Sequence, residues 1–321
     1  MMKRTFIRWT LLIISASTAF VGCVDGESLR FEDSENLSHG SALSGHHSAS
    51  EVSLESARVM GQPDRPIVGP QGGVGQFVVE CELSHVAADD PIVYPGVAGA
   101  SHLHAFFGNT SVNASSTLEE LLVSSTSCEN AQDTAAYWVP VLIDDGEVLA
   151  PTYSVAYYRA GLDLDASTVQ AYPPGLVMIA GDPSAVEPQP VSVVAWSCGN
   201  GSLREASPPI CPRRAGLHLD VTFPDCWDGK NLDVPGHRDH MRYSSGGRCP
   251  ETHPVPIPQL IFSAIYPVFG DVSHMRLASG SLLSGHADFV NSWNQEVLEG
   301  EVELCLRRNI VCGVSSGRLP F

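Results

Sequence analysis

Eight cysteines spread at irregular intervals from Cys81 onward constrain the fold of this 321-residue chain more than any other feature. They are Cys81, Cys128, Cys198, Cys211, Cys226, Cys249, Cys305 and Cys312, and a ninth, Cys23, stands far upstream. No pair is spaced C-x-x-C, which removes zinc ribbons and thioredoxin-type redox sites. Disulfides remain, the usual state of an even cysteine set in an oxidising compartment. The local separations point to Cys198–Cys211, Cys226–Cys249 and Cys305–Cys312, leaving Cys81–Cys128 as the long-range bridge. Each short loop closed in this way stabilises the fold by roughly 3 kcal/mol.

The N-terminus says why such a compartment is expected. Lys3, Arg4 and Arg8 introduce an uncharged, mostly apolar run from Trp9 to Val21, the pattern of an export signal. As a helix that run reaches only about 18 Å, well short of a hydrocarbon core of about 30 Å, so removal or capture by lipid is expected rather than a permanent span. Gly22-Cys23 resembles a bacterial lipobox, with Phe20 where Leu is usual. That resemblance implies lipid on Cys23, cleavage before it and a lipoprotein of the cell envelope that meets the membrane through its lipid alone; ordinary secretion is the alternative. Cys23 is also the cysteine left over when the other eight pair. The expected organisation is an export signal over 1–22, a flexible Ser-rich acidic tether over 23–62, and a single disulfide-braced domain over 63–321. His39, His46 and His47 fall in the tether and read as solvated linker residues.

A formal net charge of −18 narrows the partners. Once the signal's basic residues are gone, Lys230 is the only lysine, and nothing supplies the clustered cations that nucleic acid or anionic headgroups require. Neutral or cationic ligands suit such a surface better.

From Gln76 onward, short apolar stretches rich in β-branched and aromatic residues alternate with Gly, Pro, Asn and Asp. Strands are expected at Phe77–Glu82, Tyr137–Ile143, Thr152–Tyr158, Leu176–Ala180, Val191–Ser197, Leu217–Phe223, Leu260–Ile265 and Glu301–Leu306. Leu217–Phe223 alternates most cleanly, with His218, Asp220 and Thr222 on the face opposite the apolar residues. Two segments look helical: Thr117–Leu122, with a cap followed three residues later by Glu120, and Phe289 to about Leu298. The pattern predicts a mainly β domain, sandwich or jelly-roll-like, with a few short helices and about four disulfides.

Three blocks carry residues suited to chemistry. In the first, Asp90 precedes Ser101-His102-Leu103-His104; extended backbone would project His102 and His104 to one side, half of a zinc or copper site. The second, Asp225-Cys226-Trp227-Asp228 followed by His237 and His240, flanks an aromatic ring with two carboxylates on a pinned loop. Such a loop can stack on sugar while a carboxyl group moves a proton, or the carboxylates can simply cap turns. The third, His286-Ala287-Asp288-Phe289-Val290-Asn291-Ser292-Trp293, crowds polar residues at the start of the expected second helix, where Asp288 serves as a cap or joins His286 in a metal or acid–base set. Gly313-Val314-Ser315-Ser316-Gly317 matches a nucleophile elbow literally, but no Asp or His follows it, and a glycine-rich tail is the better reading.

Taken in order, these blocks resemble the family labelled domain of unknown function 1996, found in secreted bacterial and fungal proteins. The resemblance runs from about Asp90 to Trp293 and takes in Pro173-Pro174-Gly175-Leu176, Gly181-Asp182 and Cys249-Pro250-Glu251-Thr252-His253-Pro254-Val255-Pro256. It departs at Ser292, where Gly is expected, and at Arg238-Asp239 ahead of His240. The label carries no reaction. It implies an extracellular setting and, because members often sit beside carbohydrate-binding modules, contact with polysaccharide.

The leading expectation is a lipid-anchored, carbohydrate-active enzyme that cleaves a glycosidic bond. Asp225, Asp228 and Asp288 then compete with His240 for the acid and base roles, and Asp90, Trp227, Asn291 and Trp293 hold the sugar. That chemistry needs two carboxyl groups about 5–5.5 Å apart for retention or about 6.5–9.5 Å apart for inversion. A second expectation places zinc or copper on His102 and His104 with His240 or His286 as a further ligand. A third is a surface protein that binds neutral glycan without catalysis.

Overall fold

In a computed structural model, residues 74–199, 201–213 and 215–312 are described; the signal, Cys23, the tether and the Gly313–Gly317 motif lie outside them. In chain order the strands are β1 (Gln76–Ala87), β2 (His104–Gly108), β3 (Ala136–Pro140), β4 (Leu142–Asp144), β5 (Glu147–Leu149), β6 (Tyr153–Arg159), β7 (Val177–Gly181) and β8 (Val194–Ser197). They continue with β9 (Leu217–Thr222), β10 (Cys226–Trp227), β11 (Met241–Arg242), β12 (Val255–Pro256), β13 (Gln259–Tyr266), β14 (Arg276–Leu277), β15 (His286–Val290) and β16 (Val311–Cys312). The fold is mainly β, as its alternating pattern predicts, and all four disulfides join the expected partners.

One large antiparallel sheet dominates, in the spatial order β7-β15-β3-β2-β1-β6-β13-β9-β8, with β16 added in parallel beside β1. It curls until its ends approach: a Cβ on Gly181 of β7 would come within 2.9 Å of a Val194 methyl on β8, and one on Gly285 would meet Val194 and Leu219. Glycine is needed where the two ends meet. The near-closure gives the sheet an inner face, and alternation decides what fills it. Leu217, Leu219 and Val221 of β9, Leu260, Phe262 and Ala264 of β13, and Tyr137 and Val139 of β3 all point into one buried core. His218 and Asp220 stay half-buried on the opposite face, as the β9 alternation requires.

Over β7, β15, β3 and β2 the outer face is covered as well. Ile92, Val112 and Leu121, from the chain between β1 and β3, pack on Phe106, Trp138 and Ile179 as a second, smaller apolar cluster. This explains why β2 and β3 are buried along their whole length rather than alternately. Leu121 arrives on the short helix Leu118–Leu122, which begins with the expected capping box: the Glu120 amide donates to Thr117 Oγ1, and the Thr117 amide to Glu120 Oε2.

Two expected elements take the other form. Phe289 to about Leu298 is not a continuous helix: Phe289 lies in β15, hydrogen-bonded on both sides to β3 and β7, and helix begins at Gln295 behind an Asn294 cap. Asp288 is therefore a strand residue and not a helix cap. Pairing with two neighbours outweighs the local helical signal, and Asn291 holds the bend with its side-chain amide on the Tyr172 and Pro173 carbonyls. Glu301–Leu306 is helical rather than a strand, continuing Gln295–Glu301 as a π-helical stretch over Val302–Arg307. Its apolar residues belong to the helical face of Val297, Leu298, Val302, Cys305 and Leu306, which reads as a strand only when cut short.

Candidate metal centre

Strand register brings the first and third blocks together. β3 lies between β2 and β15; His104 pairs with Pro140 and Asp288 with Trp138, so His104, His286 and Asp288 all face the outer side, beside the small apolar cluster. His102 enters from the chain just before β2. Its Nε2 lies 3.1 Å from His286 Nε2, and His104 Nε2 lies 3.4 Å from the same atom. His104 and His286 are fully buried and His102 is half-buried.

Backbone carbonyls fix the ring orientations. His104 donates its Nδ1–H to the Asp89 carbonyl (3.0 Å), and His286 donates its Nδ1–H to the Ser284 carbonyl (2.9 Å). Each Nε2 is then an unprotonated lone pair in the neutral ring, and the two lone pairs face each other. A proton carried by His102 can satisfy one of these contacts; a cation at their convergence satisfies all three rings. Burial first, and then the neighbouring imidazoles, push His104 far below its ordinary value, while burial takes His286 to about 3 and lowers His102 as well. Neutral imidazole is the ligand form. Zinc bonds to nitrogen of about 2.0–2.1 Å at tetrahedral angles separate the nitrogens by about 3.3–3.4 Å, close to what is seen here.

Carboxylates stand beside the histidines. Asp288 Oδ2 lies 4.0 Å from His286 Nε2, is buried, and finds no hydrogen-bond donor among the described residues. Asp90 joins His104 and Asp288 in a second buried triad whose ligand atoms lie within 4.8 Å of one another. The Asp90 carboxylate also accepts from the Ile92 and Val93 amides (3.0 and 2.9 Å), anchoring the loop that covers the site. Burial, and then the Asp90 charge, hold the Asp288 carboxyl well above the usual range; burial raises Asp90 too. From the far side, Arg238 donates to the carbonyls of Ile179 and Gly181, the β7 residues paired with Asp288 and His286.

The second block does not join this cluster. Asp225 is buried with Oδ1 on the Ser244 amide and Oδ2 on the Ser244 hydroxyl, each at 2.7 Å, and Gly161 backbone closes over Oδ2. Burial raises its carboxyl. Asp228 caps a turn: Oδ1 accepts from the Lys230 and Asn231 amides, and Oδ2 from the Asn231 side chain. Burial opposes its ionisation, but those donors outweigh it and hold its carboxyl below the ordinary value. Both carboxylates do local structural work, and the one that accompanies Asp288 is Asp90.

His240 points its Nε2–H at the Val177 carbonyl (2.7 Å), braces β7, and is not among the converging histidines. Trp293 is buried in the inner core with its indole on the Tyr158 hydroxyl, so it offers no face to a sugar. Asn291 is equally buried, its amide spent on backbone. Trp227 stays half-exposed, its indole N–H on the Asn231 carbonyl.

Three participants carry no sequence signal for the site. The Asp89 and Ser284 carbonyls act through backbone, which no side-chain motif announces, and Arg238 registered only as a departure from the family pattern. Conversely, Cys81, Cys128 and Asp133 cluster like metal ligands, but both sulfurs are spent in a disulfide. A family model described as Domain of unknown function (DUF1996) matches residues 90–293, which hold every ligand and carboxylate named above. No curated protein and no solved structure matches the chain.

Proposed function

The chain belongs to the DUF1996 family, whose name assigns no reaction, and from the geometry of the matched core we propose that it is a metal-dependent hydrolase acting outside the cell on polysaccharide. One observation carries the reading: two buried histidines with their Nδ1–H groups tied to backbone carbonyls aim their Nε2 lone pairs at a point that a third histidine shares. Ring N–H to carbonyl anchoring is the usual outer-shell support of a metal-bound histidine. His102, His104 and His286 would hold the ion, zinc being the choice for a nitrogen set beside carboxylates and copper the competing one.

When bound, zinc supplies Lewis acidity that brings the pKa of a coordinated water towards neutrality. The remaining work falls to the chain. Asp288 Oδ2, without a donor of its own and 4.0 Å from His286 Nε2, is placed to take a proton from a water at the cluster, and Asp90 steadies that proton from the other side. The Asp89–Ser101 loop supplies a rim with Tyr94 exposed, a ring on which a sugar can stack. The N-terminal pattern supports export and a lipid on Cys23, and the setting that the family resemblance implies supports a glycan substrate.

Elemental analysis of purified protein tests the reading directly. Stoichiometric zinc or copper, lost together with hydrolysis of a polysaccharide panel in His104→Ala, supports it. Metal-free protein whose activity survives chelation sinks it. An active, metal-free chain that loses activity in Asp225→Asn and Asp228→Asn would instead favour acid–base glycosidase chemistry on the second block, and a chain that binds glycan without releasing product would favour the non-catalytic reading.

A further inference from the structure

The segment between Leu232 and Met241 lays a cation against the strand edge behind the histidines. Arg238 donates through Nη1 to the Ile179 carbonyl (3.2 Å) and through Nη2 to the Gly181 carbonyl (2.6 Å). Those two residues are the β7 partners of Asp288 and His286, so the guanidinium is registered on the candidate site, one strand away. Its anchors are neutral, it forms no ion pair among the described residues, and the residue is exposed to solvent. Arg238 is nonetheless close enough for its charge to act on His286 and Asp288, and on Asp182 beside its Gly181 anchor.

Arginine's planar fork matches carboxylate and sulfate oxygens two at a time, and anchoring on carbonyls settles its orientation before a ligand arrives. Building on the metal-site reading above, we infer that Arg238 binds an anionic group of the substrate, so that the polysaccharide is acidic, bearing carboxylate or sulfate. This departs from the preference for neutral or cationic ligands drawn from the whole-chain charge: the overall surface is acidic, but Arg238 presents an exposed guanidinium beside the site. The competing role for Arg238 is purely structural, covering the free carbonyls of the β7 edge.

Matched ligands separate the two. Binding by the full-length, metal-analysed protein is measured by calorimetry for tetragalacturonic acid against its methyl ester, and for a sulfated galactan tetrasaccharide against its desulfated form. At least one acidic member is expected to bind tenfold or more tightly than its neutral counterpart. Arg238→Gln should remove that preference and Arg238→Lys should restore part of it, while zinc content and binding of the neutral member stay as in the wild type. Which pair shows the preference identifies the anion. Equal binding within both pairs by wild-type protein overturns the inference, as does an Arg238→Gln protein, shown folded by its thermal transition, that keeps the preference. Because metal content is read on the same samples, metal-free protein with an intact charge preference refutes the metal reading and leaves the anion subsite standing. Metal-loaded protein without the preference does the reverse.

Discussion

His104 and His286 each give one ring nitrogen to a backbone carbonyl and keep the other for their shared neighbour, so each ring has a single job available. Replacing either should therefore abolish metal binding rather than weaken it slightly. In His286→Ala, elemental analysis should find less than a tenth of the wild-type metal, with the thermal transition largely retained. Asp288 is different, because its role at the cluster is to move a proton: Asp288→Asn should keep the metal and lose about 10²–10⁴ in turnover, the range usual for removing a general base. Metal-replete Asp288→Asn with wild-type turnover would remove Asp288 from the mechanism. His102, His104, His286 and Asp288 were all legible as chemistry-bearing residues. What the order of residues did not show was that Asp225 and Asp228 are occupied by Ser244 and by the Lys230–Asn231 turn. Asp is equally at home as a proton carrier and as a turn cap, and only its hydrogen-bond partners tell which.

At the scale of elements, the helix Gln295–Glu301 ends on a buried carboxyl. Glu301 Oε1 finds no donor among the described residues, and Oε2 lies 3.2 Å from Cys305 Sγ, a disulfide sulfur with no hydrogen to give. Burial pushes the Glu301 carboxyl up to about 7 from an ordinary 4.5. A carboxyl raised in the folded state binds its proton more tightly there than in the unfolded chain. Its contribution to stability is complete below about pH 4.5, falls as pH rises towards 7, and is gone above that. The total is roughly 3 kcal/mol at most. Thermal unfolding from pH 5 to pH 8.5 should show this decline in wild-type protein and a flatter profile in Glu301→Gln; parallel profiles would assign the pH dependence to other groups. The same segment shows why short apolar runs mislead. Glu301–Leu306 alternates well enough for a strand, but together with Val297 and Leu298 it completes a helical stripe against the inner core. β15 is the opposite case, a polar stretch made into a strand by β3 and β7 on its two sides.

Across the whole molecule, the cysteine framework and the N-terminal pattern make one joint prediction. Intact mass spectrometry of protein from a bacterial envelope should show eight cysteines oxidised in four bridges and a mature start at an acylated Cys23; an unmodified Cys23 or a different start would remove the anchor and leave the disulfides untouched. The mainly β class, the three short-loop pairings, the capped helix Leu118–Leu122 and the histidines were fixed by local pattern, because alternation, cap chemistry and loop length act between near neighbours in the chain; Cys81–Cys128 came only as the pair left over. Three things were decided only by the tertiary structure: the curling of the sheet until β7 meets β8, the second apolar layer over β2 and β3, and the meeting of His102 and His104 with a histidine more than 180 positions away. The physical reason is strand register. A shift of one residue between β2, β3 and β15 would turn His104 or His286 to the other face of the sheet and disperse the site, and that register is set by the packing of Phe106, Trp138 and Ile179 on one side and of Tyr137 and Phe289 on the other.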